Sequence, residues 1–497
     1  MSTAAALLRA QPGTAIPLGD VPQVELADLH AALAAGAQRG ERVAALFGAG
    51  ESGGISLVAV LASDRDGAML IGRSTPLTHS FPSLAPALPS VHLFEREIFE
   101  RHGLRPDGHP WLKPVRFPPR GGAAAPIGIA DFYRVEGEEV HEVAVGPVHA
   151  GVIEPGHFRF QCHGENVLHL EISLGYQHRG VERAILENAE KRRLHYVETL
   201  AGDTTIGHAT AYAQLVEGLA ECRVSARAHA LRAVALELER MANHTGDLGA
   251  LAGDVGFLPT SAFCGRLRGD WLNLSAELCG NRFGRGLVRI GGLGFDVDSD
   301  LEQRIAGAVG KTVAEVSAAA DLLWDTPSVM SRFEDTGPLS PEQAEELGLV
   351  GPAARACGLA RDVRTTHPTG IYRVAQIPMA TWHSGDVFAR AYVRWLEIRR
   401  SAEFAHDQLE SLPAGEVRAS CGSLAPERIC VSLVEGWRGE ICHVGWTDAA
   451  GRLAGYKVVD PSFHNWMGLA LAMRGQQISD FPLCNKSFNL SYCGFDL

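Results

Sequence analysis

The chain has ten cysteines in 497 residues, yet no two of them stand close enough to form a CxxC pair. Iron–sulfur clusters generally use closely spaced thiolates, so a cluster held by this chain alone is not expected. No run of about 18 apolar residues occurs, which excludes a segment that crosses a bilayer as a hydrophobic helix. The opening MSTAAALLRAQPG lacks a cationic segment ahead of its short apolar run, which argues against a secretory signal. Basic residues are in the minority, 45 Lys and Arg against 58 Asp and Glu, and the resulting charge of −13 disfavours nucleic acid as a partner. Without a secretory signal the cysteines are expected to be reduced, most of them packing as small hydrophobes.

What is present suggests two domains, because the chain is too long for one ordinary core. Residues 42–73 hold the runs RVAALFG, ISLVAVLAS and AMLIG, parted by glycine-rich breaks; short runs punctuated in this way predict strands joined by hairpins. A short charged helix follows in FEREIFERHG. The stretch PPRGGAAAPIG (118–128) has linker composition, which predicts a domain over 1–120, a linker over 121–136 and a second domain over 137–497. In 146–172 the pattern alternates, with Leu168, Leu170 and Ile172 on one strand face and Val167, His169 and Glu171 on the other. Helical patterns dominate from Gly180 onward. Arg183, Glu187 and Lys191 fall at spacings of four along one expected solvated face. Leu231, Val234, Leu238 and Met241 form an apolar stripe suited to helix packing, as do Phe388, Tyr392 and Trp395. The fold class expected is α+β: a small N-terminal α/β domain, then a large, mainly helical domain with peripheral strands.

The motifs GPVHAGVIEPGHFRF, GYQHRGVE, AGDTTIGHATAY, VRIGG and FPLCNKSFNLSYCGFDL occur in that order. Together they resemble the large subunit of membrane-bound nickel–iron hydrogenases of the formate hydrogenlyase type. They also resemble the related 49 kDa quinone-site subunit of respiratory complex I. The stretch LFEREIFERHGLRPDGHPWL resembles the complex I 30 kDa subunit, here fused to the larger part. Nickel–iron hydrogenases hold their metals with two CxxC pairs, since soft thiolates suit nickel and low-valent iron. By this resemblance the four ligand positions fall on Ala201 and Thr204 of AGDT and on Ser462 and Asn465 of DPSFHNW, and every thiolate is missing. The expectation is therefore that no metal is bound and that this chain holds no cofactor of its own. The tail beyond those positions has the apolar and aromatic content of packed structure, and the chain is expected to end at Leu497.

The resemblance to complex I implies a quinone as substrate and assigns His157, Tyr196 and Asp254 as the catalytic residues. Histidine exchanges protons near neutrality, tyrosine donates to a carbonyl oxygen, and an aspartate fixes the imidazole. Each has a structural alternative: His157 as a hydrogen-bonder in a strand, Tyr196 as a core or interface residue, Asp254 as the cap of a turn. Asp203, Thr204 and His208 would line the former metal cavity, although Asp203 and Thr204 would equally serve to cap the following helix. His149 and His178 lie in family stretches without an assigned role. The implied activity is that of an oxidoreductase subunit, active only with partners. It would pass electrons from a 4Fe-4S cluster on a small iron–sulfur subunit to a quinone or similar acceptor. Antiporter-like membrane subunits would anchor it, peripheral on the cytoplasmic inner face of the membrane. The alternatives are a true hydrogenase and a non-catalytic scaffold of such a complex.

Overall fold

The computed structural model describes residues 7–116, 131–149 and 153–497. The expected linker stretch 118–128 lies outside these residues. The hairpin runs form strands Arg42–Glu51, Gly54–Ser63 and Ala68–Ser74, at the heart of a five-stranded sheet. Glu51 pairs with Gly54 across the two-residue turn Ser52–Gly53, and Gly53 takes φ 107°, a value that favours glycine. Helix Leu26–Gln38 buries Leu29, Ala32 and Leu33, and helix His92–His102 buries Leu93, Phe94 and Ile98.

The larger part has strands of two kinds. His157–His163 lies between Val140–Val145 and Asn166–Ser173 in a three-stranded antiparallel sheet. Arg428–Gly436, Gly439–Thr447 and Leu453–Val459 form a second antiparallel sheet that is buried on both faces. Helix Thr205–Leu219 packs on that sheet. The long helices Ala226–Asp254, Leu258–Cys279, Ser299–Trp324 and Val387–Glu410 bundle beside it. Three of their starts are fixed by side-chain caps: Ser225 accepts from the Ala228 amide, Asp298 from Leu301 and Asp386 from Ala389. The stripe Leu231, Val234, Leu238 and Met241 is buried as its spacing predicts. Phe388, Tyr392 and Trp395 gather around Trp324 with ring centroids 5.7–6.4 Å apart.

Two expectations are corrected. Arg183, Glu187 and Lys191 do not share a helix, because Val181–Glu187 ends at an extended Asn188 and a new helix, Glu190–Val197, begins after Ala189. Only Arg183 and Glu187 approach each other, at 3.8 Å. Cys222 and Cys421, 199 residues apart, form a disulfide. Of the eight remaining cysteines seven are buried, with Cys279 half-buried, so the expectation of small-hydrophobe packing holds for them.

The two sequence domains also share a core. Ile16 pairs with Ile429, adding a short N-terminal strand to the second sheet. Phe94 packs on Phe463 at 5.1 Å and Phe47 stacks on Trp446 at 5.7 Å. Gly455 makes room for that tryptophan, since a Cβ there would lie 1.8 Å from the Trp446 ring. A buried charge cluster seals the joint: Glu97 accepts from Lys457 Nζ at 2.5 and 2.7 Å and pairs with Arg116, while Glu182 pairs with Arg101.

Candidate functional site

The two stretches that lack thiolates converge. AGDT forms the turn leading into helix Thr205–Leu219, and DPSFHNW starts helix Pro461–Ala472, with Asp460 as its cap. The hairpin tip Trp437–Arg438, between paired Gly436 and Gly439, inserts against the first turn. Trp437 Nε1 donates to the Asp203 carbonyl at 2.9 Å. Arg438 Nη1 donates to the Gly202 carbonyl at 2.7 Å and to Thr204 Oγ1 at 3.1 Å, and its Nε reaches the Asn489 carbonyl at 2.6 Å. The guanidinium lies 3.9 Å from the centre of the Trp437 ring.

The side chains at the four ligand positions do not fit a nickel–iron centre. Ala201 offers only a methyl group. Thr204 Oγ1 donates to the Gly202 carbonyl at 3.1 Å while accepting from Arg438. Ser462 Oγ accepts from the Ser491 amide at 2.8 Å. Asn465 is spent on both backbone groups of Val350, each at 3.0 Å. Hard, neutral and already committed, these donors are a poor match for soft metals, and a fixed cation, Arg438, leans on one of them.

Neither Asp203 nor Thr204 caps the helix with its side chain. That task falls to Glu239, whose carboxylate accepts from the Ile206 and Gly207 amides at 2.7 and 3.2 Å. Burial outweighs those two bonds and pushes the Glu239 carboxyl up to about 8. Asp203 instead accepts from Arg268 at 3.0 Å.

His208, one turn into the helix, is fully buried and belongs to a chain of hydrogen bonds that no local pattern announces. Its Nε2 meets Asp460 Oδ2 at 3.0 Å, and its Nδ1 meets His443 Nε2 at 3.0 Å. His443 Nδ1 in turn lies 2.6 Å from the Tyr456 hydroxyl. Asp460 Oδ1 accepts from the Ser462 amide at 2.8 Å. Burial works against ionisation of Asp460, but His208, with Arg438 and Ser462, more than offsets it and holds the carboxyl below its ordinary range. Burial, reinforced by the neighbouring His208, pulls His443 well below the usual histidine value; burial likewise lifts Tyr456 well above the usual phenol.

The three residues assigned as catalytic stand apart in this chain. His157 opens its strand, half-buried; its Nδ1 donates to the Gly146 carbonyl at 3.3 Å, and its buried Nε2 has no hydrogen-bond partner among the described residues. Tyr196 lies on helix Glu190–Val197, partly buried against the bundle core. Asp254 is the exposed last residue of helix Ala226–Asp254. Among the described residues no hydrogen bond, ion pair or ring contact joins any two of the three. His244, ten residues before Asp254, is locked to Glu397 at 2.8 Å, and burial draws its imidazole down to about 4. His149 donates to the Gly156 carbonyl at 2.9 Å and His178 to the Asp496 carbonyl at 2.8 Å, so both tie loops in place.

Sequence reasoning missed His443, Tyr456, Asp460 and Arg438. Asp460 carried a legible signal, an aspartate directly before Pro461 at a helix start. The other three come from a strand interior, a second strand and a hairpin tip.

Comparison with known proteins matches residues 254–429 to the family of the respiratory-chain NADH dehydrogenase 49 Kd subunit, and residues 20–124 to that of the 30 Kd subunit. The chain is 30% identical over 436 residues to formate hydrogenlyase subunit 5 of Escherichia coli (strain K12), covering 83% of this chain and 76% of that one. It is 30% identical over 350 residues to the carbon monoxide-induced hydrogenase of Rhodospirillum rubrum, covering 70% and 97%. It is 29% identical over 370 residues to NADH-quinone oxidoreductase subunit 4 of Thermus thermophilus, covering 69% and 90%. The chain belongs to the family that unites membrane-bound hydrogenase subunits with the 49 kDa subunit of respiratory-chain NADH dehydrogenase, carries a 30 kDa-type domain on the same polypeptide, and is an electron-transferring oxidoreductase subunit of an assembly of that kind.

Proposed function

We propose that this subunit passes electrons from an iron–sulfur cluster on a small partner subunit to a quinone or similar organic acceptor, and that it holds neither nickel nor any other cofactor. The observation that carries this reading is the donor set at Ala201, Thr204, Ser462 and Asn465. Every polar side chain there is engaged in internal hydrogen bonds, and Arg438 sits against Thr204. A quinone needs no thiolate. It needs proton donors as electrons arrive, and the unpartnered Nε2 of His157 supports that residue as one of them. Tyr196, on a half-buried helix face, is the second donor proposed; Asp254, which touches neither, is retained only as the carboxylate the resemblance assigns.

Among the described residues no helix is long and apolar enough to cross a membrane. A relative named as part of a membrane-bound hydrogenase supports attachment through other subunits. We place the chain on the inner face of the membrane, bound to antiporter-like subunits. The test is turnover of a soluble quinone analogue by the complex purified with its small subunit. Tyr196→Phe and His157→Ala are expected to lower it by ~10²-fold or more. Unchanged turnover in both would remove these residues from the reaction.

A further inference from the structure

We propose that the cavity between helix His92–His102, strand Asn166–Ser173 and helix Pro461–Ala472 binds a single apolar chain with an anionic head, a carboxylate or a phosphate. Its volume is about 610 Å³, within the range of small-molecule sites. The site is independent of the acceptor reading, because its lining includes none of His157, Tyr196 and Asp254.

The floor of the cavity is buried and apolar. Leu93 comes from the N-terminal domain, Leu170 and Leu174 from the strand and its end, and Trp466, Ala470 and Phe495 from the C-terminal part. The polar atom of Trp466 is already engaged, with Nε1 donating to the Ser491 carbonyl at 3.4 Å. Leu168 and Met467, both half-buried, carry the same apolar surface outwards. Such a surface gains by covering an apolar chain and offers few partners to a sugar or a nucleotide.

The polar groups of the lining leave an excess of positive charge. Glu171 is the one carboxylate among the described lining residues, and it is neutralised, accepting from Lys113 Nζ at 2.6 Å and from the Tyr133 amide at 2.8 Å. Arg96 donates only to carbonyls, from Nε to Lys113 at 2.7 Å and from Nη2 to Pro114 at 2.9 Å, and makes no ion pair among the described residues. Burial, opposed by Glu100 and Glu171, pulls Arg96 down to about 10, which leaves it charged at neutral pH. Burial, with Arg96 and His109 nearby, pulls His92 down to about 3, so that ring adds no charge. Arg474 is exposed at the margin, and its side chain has no hydrogen bond or ion pair among the described residues.

Two guanidinium charges thus line one apolar cavity without a carboxylate partner. His169, which also lines it, has a buried Nε2 with no hydrogen-bond partner among the described residues. An anionic head accepts from guanidinium and imidazole N–H groups alike, which gives these donors the partner they lack. The walls belong to both sequence domains, so a bound molecule touches Leu93 and Arg96 on one side and Leu170 and Trp466 on the other. By mass action it should stabilise the joint.

The experiment titrates the full-length chain with cis-parinaric acid, a fatty acid whose fluorescence rises in an apolar site, below its micelle concentration. One saturable site per chain is expected, and the ligand should raise the urea midpoint. Stearate and lysophosphatidic acid should both displace the probe, the tighter of the two naming the head. Stearyl alcohol, the same chain without charge, should compete ~10-fold less well or worse. Arg474→Glu, on the surface, should weaken stearate by a similar factor and leave the alcohol unchanged. Met467→Trp, which fills the half-buried wall, should abolish binding of all of them. If Met467→Trp does not fold, Arg474→Glu decides alone. Absence of a saturable site, equal competition by stearate and its alcohol, or full stearate affinity in Arg474→Glu overturns the proposal.

Discussion

Replacing Glu97 with glutamine tests how the two sequence domains are held together. The carboxylate is 2% exposed and faces three cations: Lys457 at 2.5–2.7 Å, Arg116 in direct contact and Arg101 at 3.6 Å. At an effective dielectric of about 20, one such pair at about 2.7 Å is worth ~6 kcal/mol before desolvation. Glutamine keeps the shape and removes the charge, leaving Lys457, Arg101 and Arg116 to share Glu182. Breaking a buried pair from one side costs ~3–5 kcal/mol. Urea unfolding of the full-length chain, followed by tryptophan fluorescence because Trp446 lies at this joint, should show that loss at pH 7. The pH dependence carries its own sign. Burial opposes ionisation of Glu97, but the three cations hold its carboxyl well below the usual range. Its stabilisation is therefore present above the unfolded value, about 4.3, and is lost as pH falls through the lower folded value. The deficit of the variant should shrink as the medium is acidified below that point. A loss under ~1 kcal/mol at pH 7, or a deficit independent of pH, would refute the buried cluster as a domain clamp.

Three further outcomes are expected. Glu239 has the opposite sign: with its folded value raised to about 8, its contribution is present below the unfolded value and is lost as pH rises through 8. Glu239→Gln should therefore start at a deficit near pH 5 and regain ~1.4 kcal/mol relative to wild type per pH unit up to about 8, checked by urea midpoints across that range. Gly494→Ala, which places a methyl group 2.7–2.9 Å from the Asp460 carboxyl atoms, should cost ~1–3 kcal/mol, checked by the urea midpoint. Replacing both Cys222 and Cys421 with serine opens a loop of 199 residues and should cost ~2–5 kcal/mol, while thiol titration of the denatured wild-type chain should find eight free groups and not ten.

The elements most legible in the sequence were those whose signal is local. The hairpins over 42–74 could be read because glycines punctuate short apolar runs, and the stripe from Leu231 to Met241 because helix packing repeats at three and four residues. Spacing failed where a short break intervened, as at Asn188, which splits Arg183 and Glu187 from Lys191. It also failed for Cys222 and Cys421, which meet only through tertiary structure. Of the candidate site, the loss of thiolates and the interest of His208 were visible in AGDTTIGH, and Asp460 opens DPSFHNW. Its partners were not, because His443 and Tyr456 are ordinary strand residues until two neighbouring strands and a helix bring them into line. The capping role expected of Asp203 or Thr204 went to Glu239, which is more than 30 residues away in the chain.

The central claim is that Thr204, Ser462, Asn465 and Ala201, braced by Arg438, replace a nickel–iron centre with an internally satisfied polar junction. Elemental analysis of the complex, purified with the small iron–sulfur subunit proposed as its partner, tests it most directly. The account predicts iron in the amount the partner's clusters require and no stoichiometric nickel. One nickel per chain, retained through purification, would contradict it.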